Sequence, residues 1–241
     1  MKKHIPNIIT LLNLFSGCIA ITMAFQGNFG AVVFWVALAA VFDFLDGMAA
    51  RVLRAHSTLG KELDSLADVV SFGVAPGMAM FLLLRDFCYV IVYSYSFGGA
   101  ATIIAVISLF IPYLAFLIPV FSAYRLAKFN VDERQTDSFI GLPTPANGLF
   151  WVSYCLGILP FISNYFVFGI TILLIFALSI LMISEIPMFS LKIKKLTFRG
   201  NERQIILTIL IIAFIALWGI IGIAAGILAY ILLSIITRVK K

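Results

Sequence analysis

Asp43, Asp46, Asp64 and Asp68 are the residues of this chain whose type and spacing could do chemistry. They lie in DFLDGMAARVLRAHSTLGKELDSLAD, residues 43–68, and each end of that segment runs into an apolar stretch long enough to cross a bilayer. The first pair is spaced i,i+3 and the second i,i+4, so each pair shares one face of a helix. At about 1.5 Å of rise per residue, Asp43 lies roughly 12 Å inside Arg51, and Asp68 about as far inside Gly60 and Lys61. Two helices joined by a short loop therefore carry four carboxylates to a common depth. Each ionised carboxylate costs about 2.5 kcal/mol or more to insert, and the four repel one another. Protonation or cations relieve this. Two divalent metals would neutralise the set, and all-oxygen ligands suit Mg2+ or Mn2+. His56 stands alone in the segment, which has no cysteine, and this argues against zinc. Metals so held serve substitution at a phosphate, where they screen a diphosphate and orient the attack. Gly47 and Ala50 leave a small-residue surface for a bulky substrate, and Arg51 is spaced to pair with a phosphate. Cation or proton transport also uses carboxylate clusters in the bilayer, and these residues alone leave both chemistries open.

The elements that must position the aspartates are membrane helices. The 241-residue chain is 63% hydrophobic and 12% charged, against about half apolar in soluble domains. Apolar runs near twenty residues recur without strand-like alternation, which predicts an all-α, polytopic transmembrane bundle rather than a barrel. Eight spans are expected, at roughly 6–26, 29–51, 61–84, 98–124, 143–160, 163–184, 204–220 and 222–238. The last two divide one long stretch at Gly219 and Gly222, and the Gly222-x-x-x-Gly226 spacing allows close helix packing. With this topology sixteen of the seventeen Lys and Arg residues share one side and only Arg85 falls on the other. That bias puts both termini and the loop between spans two and three in the cytoplasm, in a multi-pass protein of the cell (inner) membrane. The net charge of +6 is then a topology device, with some attraction for anionic lipid, and not a nucleic-acid footprint. Cys18, Cys88 and Cys155 are scattered and suggest neither disulfides nor a metal site. The first apolar run, which resembles a signal peptide, is expected to stay as an uncleaved helix.

The stretch D43-x2-D46-G47-x2-A50-R51-x8-G60-x3-D64-x3-D68 resembles the signature of the CDP-alcohol phosphotransferases at all eight positions. The resemblance implies a two-metal site in which Asp43, Asp46, Asp64 and Asp68 bind Mg2+ or Mn2+. Asp68 would also act as general base, taking a hydroxyl proton as that oxygen attacks the β-phosphorus and expels CMP. Gly47, Ala50, Arg51, Ser57 and Gly60 would line the CDP-lipid pocket, and Pro6, Asn7 and Thr10 resemble the family's nucleotide-contacting first helix. The resemblance also implies a homodimer.

Three further segments, VVSFGVAPG (69–77), YRLAKFNV (124–131) and GLPTPANG (141–148), resemble the integral-membrane CDP-diacylglycerol–serine O-phosphatidyltransferases, although members often have Arg where Lys128 stands. This implies CDP-diacylglycerol and L-serine as substrates. It also implies a catalytic core over 1–150 within a single membrane domain, a six-span family core and an added hairpin over 203–241. A zwitterion such as serine needs a cation and an acceptor near the metals. Arg125 and Lys128, Asn130 just beyond them, and Ser71 and Gly73 one turn past Asp68 are the candidates, while topology anchoring remains an alternative for the two cations. Pro76 is expected to disturb span three, and Pro143 with Pro145 to set the start of span five. Glu185 is expected to pair with the basic loop KIKKLTFRGNER. Other acceptors (glycerol 3-phosphate, inositol phosphate) or an ether-lipid substrate would keep the same chemistry. A transporter would need ionisable residues continuing to the far leaflet, where only Arg85 and Asp86 are expected, in an outer loop.

Overall fold

In a computed structural model of the chain, residues 4–55, 57–95, 106, 108–132, 139–188 and 202–238 are described. They form a helical bundle. α1 (Ile5–Phe25) carries Pro6 in its first turn, where the missing N–H costs nothing. Gly27, at φ +71°, turns the chain, and Asn28 caps α2 (Phe29–Val52) by accepting from the Ala31 N–H. Ser57 caps α3 (Thr58–Asp68) by accepting from the Gly60 N–H at 3.0 Å. A π-helical segment, Val69–Val74, joins α3 to α4 (Ala75–Tyr95). The remaining helices are α5 (Leu117–Val131), preceded by a 3-10 turn at Ile111–Phe116, α6 (Thr144–Ile158), α7 (Tyr165–Ile183), α8 (Glu202–Trp218) and α9 (Ile221–Arg238). Five helical stretches are long and apolar enough to cross a membrane, and the last two helices are shorter and apolar.

Span three runs further than the sequence suggested. It continues to Tyr95, so Arg85 and Asp86 sit within α4 and not in an outer loop; they pair with each other at 3.2 Å. The helix absorbs them because each neutralises the other and both remain about half exposed, 60% and 49%. The disturbance expected around Pro76 is the π segment. The Ala75 N–H reaches back five residues to the Val70 carbonyl, and Pro76 then falls in the first turn of α4. The start of span four (98–105) and residues 192–201 of the basic loop lie outside the described residues. Glu185 instead stands 3.8 Å from the Lys128 ammonium.

Between lipid-facing helices the hydrophobic effect supplies little, so close packing must hold the bundle together. Small residues permit it. A Cβ on Gly17 would fall 2.8 Å from Ser71 Cα, and one on Gly148 would fall 2.8 Å from Phe72 Cα. Gly73 and Gly77 give the same access to α5 at Ser122 and Pro119. The π segment is thus clasped by α1, α5 and α6 around the fully buried Phe72. Gly219, at φ +64°, turns α8 into α9, and Gly222 and Gly226 lie against Phe214 and Ile211. A two-residue antiparallel pairing, β1 (Phe139–Ile140) with β2 (Pro187–Met188), ties the approach to α6 to the exit from α7. There Gly141, at φ +74°, leaves no room for a side chain beside the Met182 carbonyl.

Candidate active site

The buried face of α1 is made of Pro6, Thr10, Asn13, Ser16, Gly17, Ala20 and Ala24. The helix is therefore inside-out for a soluble protein: small and polar residues face the bundle, and Ile8, Leu11, Leu12 and Phe15 face outward. This polar stripe lies against α2 and α3, which carry the aspartates.

Asp43, Asp64 and Asp68 each offer a carboxylate oxygen, and the three oxygens lie within 4.8 Å of one another. The Asp43 and Asp64 side chains come within hydrogen-bonding reach, an approach that ionised carboxylates make only around a proton or a cation. Asp64 Oδ1 is buried without a protein partner. Converging hard oxygens, one of them unpartnered, fit a divalent cation, which the residues present could hold without a nitrogen or sulfur ligand. Asp46 stands outside this trio. Its Oδ2 accepts a 2.6 Å hydrogen bond from Thr10 Oγ1, and both residues are buried.

Beside the cluster lies a cleft of about 230 Å³. α1 lends it Pro6, Asn7 and Thr10; α2 lends Asp46, Gly47, Ala50 and Arg51; Ser57, Gly60 and Asp64 close it from the α3 side. Each residue that the sequence proposed for the CDP-lipid pocket lines this one space. Gly60 is needed for the approach of α1, since a Cβ there would sit 3.1 Å from Asn7 Oδ1. Ala55 and Lys61 also line the cleft, and sequence spacing did not single them out for it.

The five residues proposed around the acceptor are not gathered in one place. Arg125 is 6% exposed, donates from a terminal guanidinium nitrogen to Thr144 Oγ1 at 3.2 Å, and lies within electrostatic range of Asp68. Its Nε is buried without a partner. Ser71 Oγ donates to the Asn13 carbonyl at 2.9 Å, and Gly73 packs against Ser122. Lys128 reaches the Ile183 carbonyl and Glu185. Asn130 donates to Ser65 Oγ and its carbonyl receives the Lys61 ammonium, each at 2.8 Å. Sequence reasoning missed Asn13, whose Nδ2 donates to Asp68 Oδ1 at 3.2 Å, and Thr144, the partner of Arg125. The i,i+3 spacing of Thr10 and Asn13 in an otherwise apolar run was the available signal.

Comparison with known proteins follows this geometry. A family model described as CDP-alcohol phosphatidyltransferase matches residues 3–236, well beyond the first 150 residues to which the motif resemblance extended. The CDP-diacylglycerol–serine O-phosphatidyltransferase of Bacillus subtilis is 35% identical over 184 residues, covering 76% of this chain and 89% of that protein. The protein of the same name from Methanocaldococcus jannaschii is 35% identical over 182 residues, 76% of this chain and 72% of its own length. The archaetidylserine synthase of Methanothermobacter thermautotrophicus is 31% identical over 186 residues, 76% and 68% of the two chains.

Proposed function

The chain belongs to the CDP-alcohol phosphatidyltransferase family, and from that membership we propose that it transfers the phosphatidyl group of CDP-diacylglycerol to the hydroxyl of L-serine, giving phosphatidylserine and CMP. The observation that carries this reading is the convergence of Asp43, Asp64 and Asp68 beside a cleft lined by the residues of the CDP motif. The names of the relatives supply the acceptor.

In this reading the cleft holds the cytidine diphosphate end of the lipid. Asn7 offers a donor and an acceptor to the nucleotide, Arg51 pairs with a phosphate, and Gly47, Ala50 and Gly60 keep the walls close. The family depends on divalent metal, and Asp43, Asp46, Asp64 and Asp68 would hold two ions, Mg2+ or Mn2+, whose charge offsets that of the diphosphate. Asp68 accepts the serine hydroxyl proton as the oxygen forms its bond to the β-phosphorus. The bond from that phosphorus to the CMP oxygen breaks, and CMP leaves with the electron pair. Arg125, buried near Asp68, is the candidate partner for the serine carboxylate. The sixteen-to-one bias of basic residues supports a cleft facing the cytoplasm. That is where a soluble amino acid would meet a substrate whose tails stay in the bilayer. A homodimer in the cell membrane is the working unit of this reading.

The test is CMP release by purified protein in liposomes containing CDP-diacylglycerol and Mg2+ or Mn2+. L-serine, glycerol 3-phosphate and inositol phosphate are offered in turn. Serine-dependent release that chelator and Asp68→Asn each abolish is the expected result. Release with only a different alcohol would overturn the acceptor assignment, and no release from folded protein would overturn the chemistry.

A further inference from the structure

Asn13 is fully buried in the middle of α1. Its Nδ2 donates to Asp68 Oδ1 at 3.2 Å. An ionised carboxylate only accepts, so the NH2 end of the amide must face Asp68 and the carbonyl must face away. That carbonyl oxygen, Asn13 Oδ1, is buried with no partner. The residue is also anchored through its backbone, since Ser71 Oγ donates to the Asn13 main-chain carbonyl at 2.9 Å. This contact exists because Gly17, one turn along, lets the π segment approach α1 so closely. The amide is therefore held in place with one end engaged and the other free. A side chain kept only to join two helices would be expected to satisfy both ends, because a buried acceptor left alone is costly. A second unpartnered group lies in the same region: Arg125 Nε, on a guanidinium within electrostatic range of Asp68. One free acceptor and one free donor near a single carboxylate match the ammonium and carboxylate of a zwitterion.

We propose that Asn13 both positions Asp68 and selects the acceptor: its amide N–H fixes the Asp68 carboxylate, and its free Oδ1 accepts a hydrogen bond from the ammonium of the incoming amino acid. This deepens the proposed function and rests on its reading of serine as the acceptor. Discrimination is then built into the site, because a substrate lacking the ammonium leaves the buried Asn13 oxygen unpaired.

The experiment compares L-serine with 3-hydroxypropanoate, which has the hydroxyl and carboxylate but no amine. CMP release is measured for wild type, Asn13→Leu and Asn13→Asp in liposomes. Wild type should prefer serine by about 1000-fold or more in kcat/KM. Asn13→Leu, which removes donor and acceptor, should shrink that preference by at least about tenfold. KM for CDP-diacylglycerol should hardly change. Asn13→Asp keeps an acceptor and loses the donor to Asp68. It should therefore lower kcat and leave the preference for serine intact. Loss of the same factor with both acceptors in Asn13→Leu would reduce Asn13 to a structural residue and overturn the proposal. Should the leucine variant fail to fold, Asn13→Asp decides alone, and loss of serine preference in it refutes the assignment. A wild-type enzyme that uses no amino acceptor would expose failure of the underlying reading before any variant is compared.

Discussion

Thr10 connects the nucleotide-binding stripe of α1 to Asp46, and replacing it with valine isolates that link. The hydroxyl has one proton and two acceptors in range, the Pro6 carbonyl at 3.1 Å and Asp46 Oδ2 at 2.6 Å. The shorter, charge-assisted bond to the carboxylate is the stronger. Thr10→Val keeps the shape but leaves Asp46 without its partner in a site only 5% exposed. A hydrogen bond to a charged group contributes about 1.5–3 kcal/mol, which corresponds to roughly a 10- to 150-fold fall in kcat/KM for CDP-diacylglycerol. An ordinary neutral bond between membrane helices averages about 0.6 kcal/mol, or about threefold. The two cases are therefore separable in a CMP-release assay with serine held saturating. Thr10→Ser, which restores the hydroxyl, should return activity to near wild type. A valine variant within about threefold of wild type would refute the view that Thr10 acts by holding the Asp46 carboxylate.

Gly148→Ala drives a Cβ to within 2.8 Å of Phe72 Cα and 2.9 Å of the Phe72 carbonyl, neither of which can move aside as a flexible side chain could. Overpacking of this kind costs about 1–3 kcal/mol. Thermal unfolding in detergent should show a clear drop in midpoint, and an unchanged midpoint would mean that α6 and the π segment are less tightly joined than described. Arg125→Lys keeps the charge but loses the planar donor set that reaches Thr144. KM for serine should rise about tenfold or more while KM for CDP-diacylglycerol stays unchanged. Equal effects on both would remove Arg125 from the acceptor side.

The helices and the aspartate pairs were legible because their signals are local. Asp43 with Asp46 and Asp64 with Asp68 lie one turn apart, so placing them needs no tertiary information. The cleft followed for a similar reason, since Gly47, Ala50 and Gly60 are small residues where chains must approach. Arg85 and Asp86 were assigned to a loop because two adjacent charges interrupt an apolar run; that they neutralise each other within a helix is a property of side-chain reach that hydropathy ignores. The acceptor region was only partly legible. Arg125 was found, but its partner Thr144 lies in another helix. Lys128 and Asn130 engage Glu185 and Ser65 through pairings that only the folded chain defines. Asn13 was overlooked because a lone amide in an apolar helix is common, and its meaning comes from Asp68, 55 residues away.

The π segment after Asp68 has a consequence for how this helix tolerates change. A π turn takes up residues beyond those needed for an α turn, so Val69–Val74 works as a phase shifter between two halves of one rod. The half bearing Asp64 and Asp68 is clocked to the carboxylate cluster, and the half from Ala75 to Tyr95 is clocked independently to its neighbours in the bilayer. Removing a single residue from 69–74 would restore a uniform α-helix and rotate one half against the other by about 100°. Asp64 and Asp68 would swing away from Asp43 although no ligand had been altered. Along this rod, chain length between the two halves is as strictly specified as the identity of the aspartates.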